Sequence, residues 1–462
     1  MTLESEHEIY GRMPVWRLFL KCSIPGMISG LVWAICTIAD GIFVGNFLGS
    51  DALAAVNLAW PIMTVFMAVS DMVAAGSSVR ISMHLGNGDE DMARRVFSGS
   101  VRLIVAISVG FLLIGVLLGG PIVRAMGADG FVADAAAQYI AVFSLFAPVG
   151  LLFFATDNYL RICGAVNLSM YVNVGVAVLN IILLAVLIGW LGCGTWASSL
   201  ATSLSVAVGS VVALVPFLRR RLVLRFVRDR MDLRTVGKVL YNGISTFFNS
   251  ISGSLFGIVA NIVLLSISGN DGVAAYGIVM YVNSIVFSLF TGMNSAMQPA
   301  LSYNHGAGDG NRVRSIFSVM SLASMAMGIA VTALCICANG PLTTLFLGDN
   351  SPGVAEMAAS GLTVFALTYL FSWVAVNAHQ TLAAPDLPAH ALSIGLMSQL
   401  VIPSAILIPM SSLGIDGVWW SMVVAAMVSA AFAAGMLLLG TRRGIFRKHP
   451  PVTVRDVGEM SR

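Results

Sequence analysis

The stretch that decides the fold occurs twice in this chain. The first copy begins with GSDALAA at residues 49–55 and ends with SMHLGNGDEDMARRVFS at residues 82–98. The second begins with GNDGVAA at 269–275 and ends with SYNHGAGDGNRVRSIFS at 302–318, so the copies stand 220 residues apart. Eleven of the fifty aligned positions are identical without a gap, against roughly three expected by chance. The identities predict a chain built from two equivalent halves.

Composition places the chain in a membrane. Hydrophobic residues make up 58% of it and charged residues only 10%, against about 25% charged in soluble domains. A membrane crossing of roughly 30 Å takes about 20 helical residues. Apolar stretches of that length lie at about 24–48, 53–79, 98–119, 135–156, 168–190, 195–217, 240–267, 273–303, 316–339, 357–382, 389–410 and 416–440. The predicted fold class is therefore all-α, a polytopic membrane protein with twelve transmembrane helices.

The basic residues predict the orientation. Lys and Arg between the spans fall almost entirely on the side that holds both termini, and the opposite connections contain only Arg124. Because Lys and Arg stay in the cytoplasm, we expect a multi-pass protein of the inner (plasma) membrane with both termini cytoplasmic. No cleavable signal peptide is recognised, since the first apolar stretch is already span-length. The net charge of +3 then reflects orientation, and no nucleic-acid partner is expected.

Two predicted lobes flank a basic linker. Residues 1–218 form an N-terminal lobe of six helices, 219–238 a cytoplasmic linker, 239–440 a C-terminal lobe of six helices and 441–462 a cytoplasmic tail. Because six is even, both lobes enter the membrane from the same side, which predicts a pseudo-two-fold along the membrane normal. The linker is expected to include an amphipathic stretch along the cytoplasmic surface. Duplicated lobes that rock about a central site are typical of transporters.

Two glycine-rich segments, LGNGDED and HGAGDGN, predict sharp turns in which Asp89 and Asp309 cap the next helix. A phosphate-binding loop would need a Gly-Lys-Ser/Thr ending, which is missing here. The six cysteines have no metal-type spacing apart from Cys335-x-Cys337 and are predicted to be small core thiols. No metal or organic cofactor is predicted.

Ionisable residues inside a membrane are costly and usually functional, and Asp40 lies deep in the first span. Its repeat equivalent is Ala260, so only one lobe carries this carboxylate. Such a group can titrate near neutral pH, or it can ligate Na⁺. The alternative is a structural Asp whose oxygens are satisfied by hydroxyls and amides.

Two other acids lie in predicted spans. Asp157 stands four residues before Arg161, a spacing that favours a local ion pair on one helix. Asp71 is nine residues from Arg80, too far for such a pair. An interhelical hydrogen bond and a place in a cavity wall are both open for Asp71.

Three segments resemble the multidrug and toxic-compound extrusion (MATE) transporters, and the resemblance runs through the whole chain. They are IADGIFVG with the following ALAAVNLAWPI, MQPALSYNHGAGDGNRVR, and IDGVWWSMVVA. The resemblance is nearest to the bacterial multidrug efflux branch. It implies twelve helices in two six-helix lobes, and export of amphipathic, often cationic compounds in exchange for H⁺ or Na⁺.

The resemblance also implies an ion-coupling cluster. Related members use a first-span Asp, a fifth-span Asn and a sixth-span Thr, which correspond to Asp40, Asn180 and Thr202; Asp71 is added as a cavity candidate. Many relatives place an Asp where this chain has Leu184, and a seventh-span Glu of another branch is missing from YNGISTFFNSISGS. One strong carboxylate favours H⁺ over Na⁺ as the coupling ion, because Na⁺ usually needs several oxygen ligands. Na⁺ at Asp40 is the alternative.

The predicted function is antiport-driven efflux of amphipathic, cationic xenobiotics by alternating access between two lobes. A monomer in the lipid bilayer is expected, and not an enzyme, since no nucleophile–base pair or His/Asp/Glu cluster is visible in the spans. The alternative is a flippase for a lipid-linked precursor of the same superfamily. Its cavity would need basic residues for pyrophosphate, for which only Arg80 and Arg102 are candidates.

Overall fold

The computed structural model describes residues 8–229, 231–341, 352–385, 387–442 and 444–446. Within that part of the chain the backbone is almost entirely helical and contains no strand. The all-α prediction is confirmed. Most of the predicted tail at 441–462, and the first seven residues of the predicted N-terminal lobe, lie outside the described residues.

Half one begins with a short helix and continues through the first six predicted spans. Its helices are α1 (Ile9–Arg12), α2 (Val15–Phe43), α3 (Ser50–Gly86), α4 (Glu90–Ala125), α5 (Gly130–Gly150), α6 (Leu152–Ile162), α7 (Val166–Leu184) and α8 (Trp196–Leu218). Helices α5 and α6 together form one span, Gly130–Ile162. Short π-helical segments, Val44–Leu48 and Ala185–Trp190, extend α2 and α7.

Half two repeats this arrangement with more interruptions. Its helices are α9 (Leu233–Ser295), α10 (Gln298–Gly306), α11 (Gly310–Cys337), α12 (Pro352–Ala366), α13 (Tyr369–Ala383), α14 (Pro388–Leu396), α15 (Ile402–Met410) and α16 (Gly414–Arg442). Helices α12 and α13 meet at a bend of 54° and are long and apolar enough, taken together, to form one span.

The described residues contain nine helices that could cross a membrane, or ten if the bent α12–α13 pair is one span. Two of the nine, Leu233–Gly306 and Pro388–Arg442, are 74 and 55 residues long, whereas one crossing takes about 20 residues. Each contains a glycine with positive φ, Gly269 (60°) and Gly414 (76°), where the backbone leaves the helix. If these two helices are divided at their glycines, and the bent α12–α13 pair is taken as one span, the described helices can be assigned to the twelve predicted spans.

The two predicted turns are built alike. Gly88 has φ 80° and Gly308 has φ 73°, a region that glycine enters without the steric cost of a Cβ atom. The carboxylates of Asp89 and Asp309 each accept a hydrogen bond, 3.1 Å long, from the backbone N–H three residues further on. The predicted caps are confirmed. We call the face of the molecule that carries these two turns the turn side.

The halves touch each other symmetrically near the turn side. A Cβ atom added to Gly86 would lie 1.9 Å from the carbonyl oxygen of Tyr303, and one added to Gly306 would lie 2.2 Å from that of Met83. Gly86 and Gly306 are equivalent in the repeat, as are Met83 and Tyr303. Both turns therefore lie on one side, and the predicted parallel repeat with its pseudo-two-fold is confirmed.

Three of the four apolar clusters in the described residues form the main cores. One lies in half one around Tyr139, and one lies in half two around Trp419. The third joins the halves, combining Leu18 of half one with Met297 and Leu301 of half two. Because this joint cluster belongs to the turn side, the halves are held together there and can enclose a cavity beyond it.

The N-terminal helix α1 bridges both halves on the turn side. The Tyr10 side chain is only 1% exposed, and its hydroxyl donates to the carbonyl of Arg161 in half one. The Tyr10 carbonyl accepts from Asn304 Nδ2 at 3.0 Å and from Arg312 Nε at 2.8 Å in half two. The start of the chain therefore reinforces the contact between the halves.

The connection at 219–238 packs on half one. Leu222, Val223 and Leu224 are buried in the core of that half, and Arg94 Nε donates to the carbonyl of Val223 at 3.0 Å. Residues 219–229 are thus irregular, and Leu222, Val223 and Leu224 face protein, whereas Phe226 is 36% exposed.

Helix α9 begins at the end of this connection. The Asp232 carboxylate caps it by accepting from the backbone N–H of Thr235 at 3.2 Å. Hydrogen bonding to Thr235 lowers the pKa of Asp232.

Candidate functional site

The Asp40 carboxylate lies in the last turn of α2, where this helix meets α8. Its Oδ1 accepts a hydrogen bond from Ser198 Oγ at 2.5 Å, and the Tyr139 hydroxyl lies beside the same serine. So short an O–H···O⁻ distance is typical of a charge-assisted hydrogen bond. Among the described residues no cationic side chain pairs with Asp40. Asp40 is therefore held by a neutral donor and can gain or lose charge without breaking an ion pair.

Asn180 and Thr202 are in direct contact. Asn180 Nδ2 donates to Thr202 Oγ1 at 3.0 Å, and Asn180 Oδ1 is buried without a described hydrogen-bond partner. Thr202 follows Ser198 by four residues, one helical turn, so both hydrogen bonds lie on the same face of α8. The structure thus places Asp40, Asn180 and Thr202 around one face of that helix.

A cavity of about 1,050 Å³ lies between the halves. Half one contributes residues of α2, α3, α6 and α7, and half two contributes residues of α9, α10 and α12–α16. Its walls are rich in aromatic side chains, among them Trp33, Phe153, Phe154, Phe256, Phe287, Phe290 and Phe365. A volume of this size is enough for a drug-sized ligand.

Asp71, the fourth predicted residue, lines this cavity and lies apart from the other three. Of its two possible roles, the structure favours a place in the cavity wall. In the described part of the chain its carboxylate takes part in no hydrogen bond or ion pair. Thr291, at the equivalent position in half two, lines the same cavity.

Asp157 also lines the cavity, but its oxygens are occupied. Arg161 Nη2 lies 2.7 Å from one of them, which confirms the predicted helix pair. Ser169 Oγ and Asn173 Nδ2 donate to the other at 2.5 Å and 2.7 Å. The charges of Asp157 and Arg161 therefore cancel locally.

The prediction that Arg80 and Arg102 are the only basic candidates for the cavity is wrong. Neither belongs to the described lining, whereas Arg161 does. Arg80 is buried within α3, and Arg102 donates to the carbonyls of Ser98 and Asp229. Helix α6 turns its Asp157–Arg161 face to the cavity, and that rotation follows from helix packing, which residue spacing does not predict.

The chain matches a known protein family in both of its halves. The sequence profile of the MatE family matches residues 25–186 and 245–403, one segment in each half. The chain belongs to the MatE family. The resemblance seen in the sequence is thereby confirmed.

Individual relatives of this MATE-family chain match it almost end to end. It is 26% identical over 434 residues to the "Multidrug export protein MepA" of Staphylococcus saprophyticus subsp. saprophyticus, covering 93% of this chain and 94% of that protein. The crystal structure of a MATE protein in complex with MaL6 shares the fold, with a TM-score of 0.90 and 23% identity over 95% of this chain and 98% of that one. An outward-facing multidrug resistance MATE family transporter of the MOP superfamily also has a TM-score of 0.90, at 22% identity and the same coverage.

Leu184 occupies the position where many MATE relatives carry a second acid. Its side chain is fully buried in the apolar core of half one. Ala260, the repeat equivalent of Asp40, is also fully buried. Neither position therefore supplies a second carboxylate.

Ser198 and His379 were not predicted from the sequence to belong to the site. Ser198 could have been found from its spacing of one helical turn before Thr202. His379 is 9% exposed and lines the cavity from half two; one ring nitrogen binds the carbonyl of Ser245, and Nε2 is buried without a described partner. In the sequence His379 is an isolated histidine in an apolar stretch, and such a pattern does not indicate a cavity.

Phe154 connects the two parts of the site. It lines the central cavity and also a small void beside Thr202. Its ring lies 6.1 Å from that of Trp33, centroid to centroid. Phe154 therefore contacts both the cavity and the neighbourhood of the Asn180–Thr202 pair.

Metal binding has little support in the described residues, where no three His, Cys, Asp or Glu side chains converge. The oxygens near Asp40 come from Ser198 and Tyr139, both neutral. Such a set can hold a proton on the carboxylate, or a Na⁺ ion if water or backbone oxygens complete the shell.

Proposed function

We propose that this chain is a secondary active exporter of amphipathic, cationic compounds, driven by antiport with H⁺. The observation that carries the proposal is the central cavity, which both halves enclose and whose walls combine aromatic surface with one unpaired carboxylate. The name of the staphylococcal relative, a multidrug export protein, supports the export of drugs.

The cavity chemistry suits varied apolar cations. Phenylalanine rings bury apolar area without imposing hydrogen-bond geometry, and Met280 and Met422 add flexible, polarizable surface. Two carboxylates against one guanidinium leave the described lining negative when His379 is neutral. Aromatic faces also attract organic cations. The same walls can therefore accept ligands of varied shape and favour ligands that carry a positive charge.

The contacts between the halves support alternating access. They concentrate on the turn side, where Gly86, Gly306 and helix α1 hold the halves together. With the turn side in the cytoplasm, as the positive charges predict, this conformation is closed toward the cytoplasm. Rocking the halves about the central cavity would break these contacts and open the cytoplasmic side.

Ion coupling is assigned to Asp40 with the Asn180–Thr202 pair beside it. A proton needs one carboxylate, which Asp40 supplies, whereas Na⁺ usually needs several oxygens. We therefore favour H⁺ and keep Na⁺ at Asp40 as the alternative. A change of charge at Asp40 would alter its hydrogen bond with Ser198, and Phe154 would transmit the rearrangement to the cavity.

The flippase alternative is less well supported. A pyrophosphate headgroup needs unpaired basic residues in the cavity, and the Arg161 guanidinium is already paired with Asp157 at 2.7 Å. The described lining contains no other Lys or Arg. We further propose that the protein acts as a monomer in the plasma membrane with both termini cytoplasmic.

The decisive experiment uses everted membrane vesicles, with a fluorescent cation such as ethidium supplied in the bulk solution at the cytoplasmic face. Imposed pH and Na⁺ gradients are applied separately, with vesicles lacking the protein as the control. Gradient-driven ethidium movement that requires the protein is the expected result. Its absence under both gradients would contradict the proposed function.

A further inference from the structure

One carboxylate in the described lining of the central cavity has no protein partner. The Asp, Lys, Arg and His side chains in the described lining are Asp71, Asp157, Arg161 and His379. Asp157 and Arg161 neutralise each other at 2.7 Å, and His379 uses one ring nitrogen on the carbonyl of Ser245. Only Asp71, within this described set, engages no hydrogen-bond or ion-pair partner.

An ionised carboxylate in that position needs a counter-charge. Withdrawing a carboxylate from water costs several kcal/mol unless it is paired. A cation in the cavity would relieve this cost.

The surroundings indicate which kind of cation fits. A metal ion would need further oxygen or nitrogen ligands, and no such group of acidic, His or Cys side chains converges among the described residues. The half-one wall of the same cavity instead carries Trp33, Phe153 and Phe154. Their ring centroids are separated by 6.1 Å for Trp33–Phe154 and 6.2 Å for Phe153–Phe154. Aromatic side chains that share a cavity wall with a free carboxylate suit an organic cation with an apolar body.

The site occurs once per molecule. Thr291, the repeat equivalent of Asp71, lines the opposite half of the cavity, but it is neutral. Its hydroxyl donates to the carbonyl of Phe287 at 2.9 Å. The cavity therefore offers one anionic position and is matched to one positive centre.

Asp71 is structurally separate from Asp40. Asp40 is bound by Ser198 and does not belong to the described cavity lining. We propose that Asp71 binds the positively charged group of the exported compound, while Asp40 serves the coupling ion. This assignment rests on the proposed function, because it requires that the compound occupies the central cavity.

The test measures ethidium binding to purified protein in lipid nanodiscs by fluorescence anisotropy. Asp71→Asn is expected to weaken binding about tenfold, equivalent to the loss of one partly screened charge interaction. Asp71→Glu keeps the charge and should retain binding. Asp51→Asn, at the exposed start of the same helix, is the matched control.

An uncharged amphipath, N-phenyl-1-naphthylamine, distinguishes charge recognition from damage to the cavity. Its binding should be unchanged in Asp71→Asn, and thermal unfolding should show that the variant is folded. Equal ethidium affinity in wild type and Asp71→Asn would overturn the proposal, as would an equal loss of both probes.

A competition experiment on the wild type tests the proposal without any variant. Tetraphenylphosphonium should displace bound ethidium, whereas the neutral triphenylphosphine oxide should not. Displacement by both with equal strength would contradict a charge-specific site. If ethidium binding depends on Asp71 but vesicles show no gradient-driven efflux, the transport proposal fails and the binding site stands.

Discussion

Gly86 and Gly306 occupy equivalent positions of the repeat, and each packs its Cα against a backbone carbonyl of the opposite half. An added Cβ atom would lie 1.9 Å from Tyr303 O in one case and 2.2 Å from Met83 O in the other. Neither distance can be accommodated by a side-chain rotation, because the opposing atom belongs to the backbone. Closure of the turn side therefore depends on two glycines related by the pseudo-two-fold.

Gly86→Ala and Gly306→Ala should each destabilise the closed turn side by about 1–3 kcal/mol, because the halves must separate to admit a methyl group. A cysteine introduced at Ser302, which is fully buried, should become more reactive toward a maleimide in either variant. Gly110→Ala is the control, since its Cβ atom would meet nothing within 4 Å. Unchanged reactivity at position 302 in both glycine variants would contradict this account of closure.

Arg312→Ala should loosen the N-terminal segment. Its guanidinium donates to the carbonyl of Tyr10 at 2.8 Å and to that of Met13 at 2.5 Å, and hydrogen bonds from a charged donor contribute about 1.5–3 kcal/mol. Hydrogen–deuterium exchange should accelerate at residues 8–13. Arg314→Ala, at an exposed position on the same helix, should leave that exchange unchanged.

Asp40→Asn should fold and insert normally yet abolish gradient-driven efflux. The amide keeps a hydrogen bond with Ser198 but cannot titrate. Ser198→Ala is expected to reduce rather than abolish efflux, since it removes a donor and leaves the carboxylate. Efflux by Asp40→Asn vesicles at near wild-type rates would exclude this residue from coupling.

The coupling ion can be identified by applying one gradient at a time. If H⁺ couples, efflux should follow a pH gradient in Na⁺-free buffer and weaken as external pH rises through the pKa of the Asp40 carboxyl. Above that pH the carboxylate is ionised and no longer loads a proton from outside. Efflux that requires Na⁺ at constant pH, and ignores a pH gradient without it, would instead favour Na⁺ at Asp40.

Membrane orientation can be tested by cysteine labelling in a background without native cysteines. Cysteines placed at Gly88, Gly308 and Arg228 should react from the cytoplasm, because basic residues concentrate on that side. Cysteines at Gly192 and Ser412 should react from outside. The reverse pattern would mean that the conformation described here is closed toward the exterior.

Features that depend on neighbours along the chain could be predicted from the sequence. The Gly88 and Gly308 turns, their Asp caps and the Asp157–Arg161 pair all involve residues within four positions of each other, where backbone geometry alone sets the distance. The two parallel halves followed from repeated residues and an even number of spans. The packing of the linker at 219–238 could not be predicted, because charge and apolarity indicate an amphipathic segment but not the surface against which it packs.

The sequence by itself determined the membrane class, the repeat, the local caps and Asp40 as a deep carboxylate, because composition and short spacings carry that information. Tertiary structure alone decided which side chains meet. Ser198 reaches Asp40 across 158 positions, Tyr10 meets Arg312 across 302, and Arg161 rather than Arg80 faces the cavity. These outcomes depend on how each helix is rotated about its axis when it packs. In a chain that is apolar on nearly every helix face, the sequence pattern leaves that rotation undetermined.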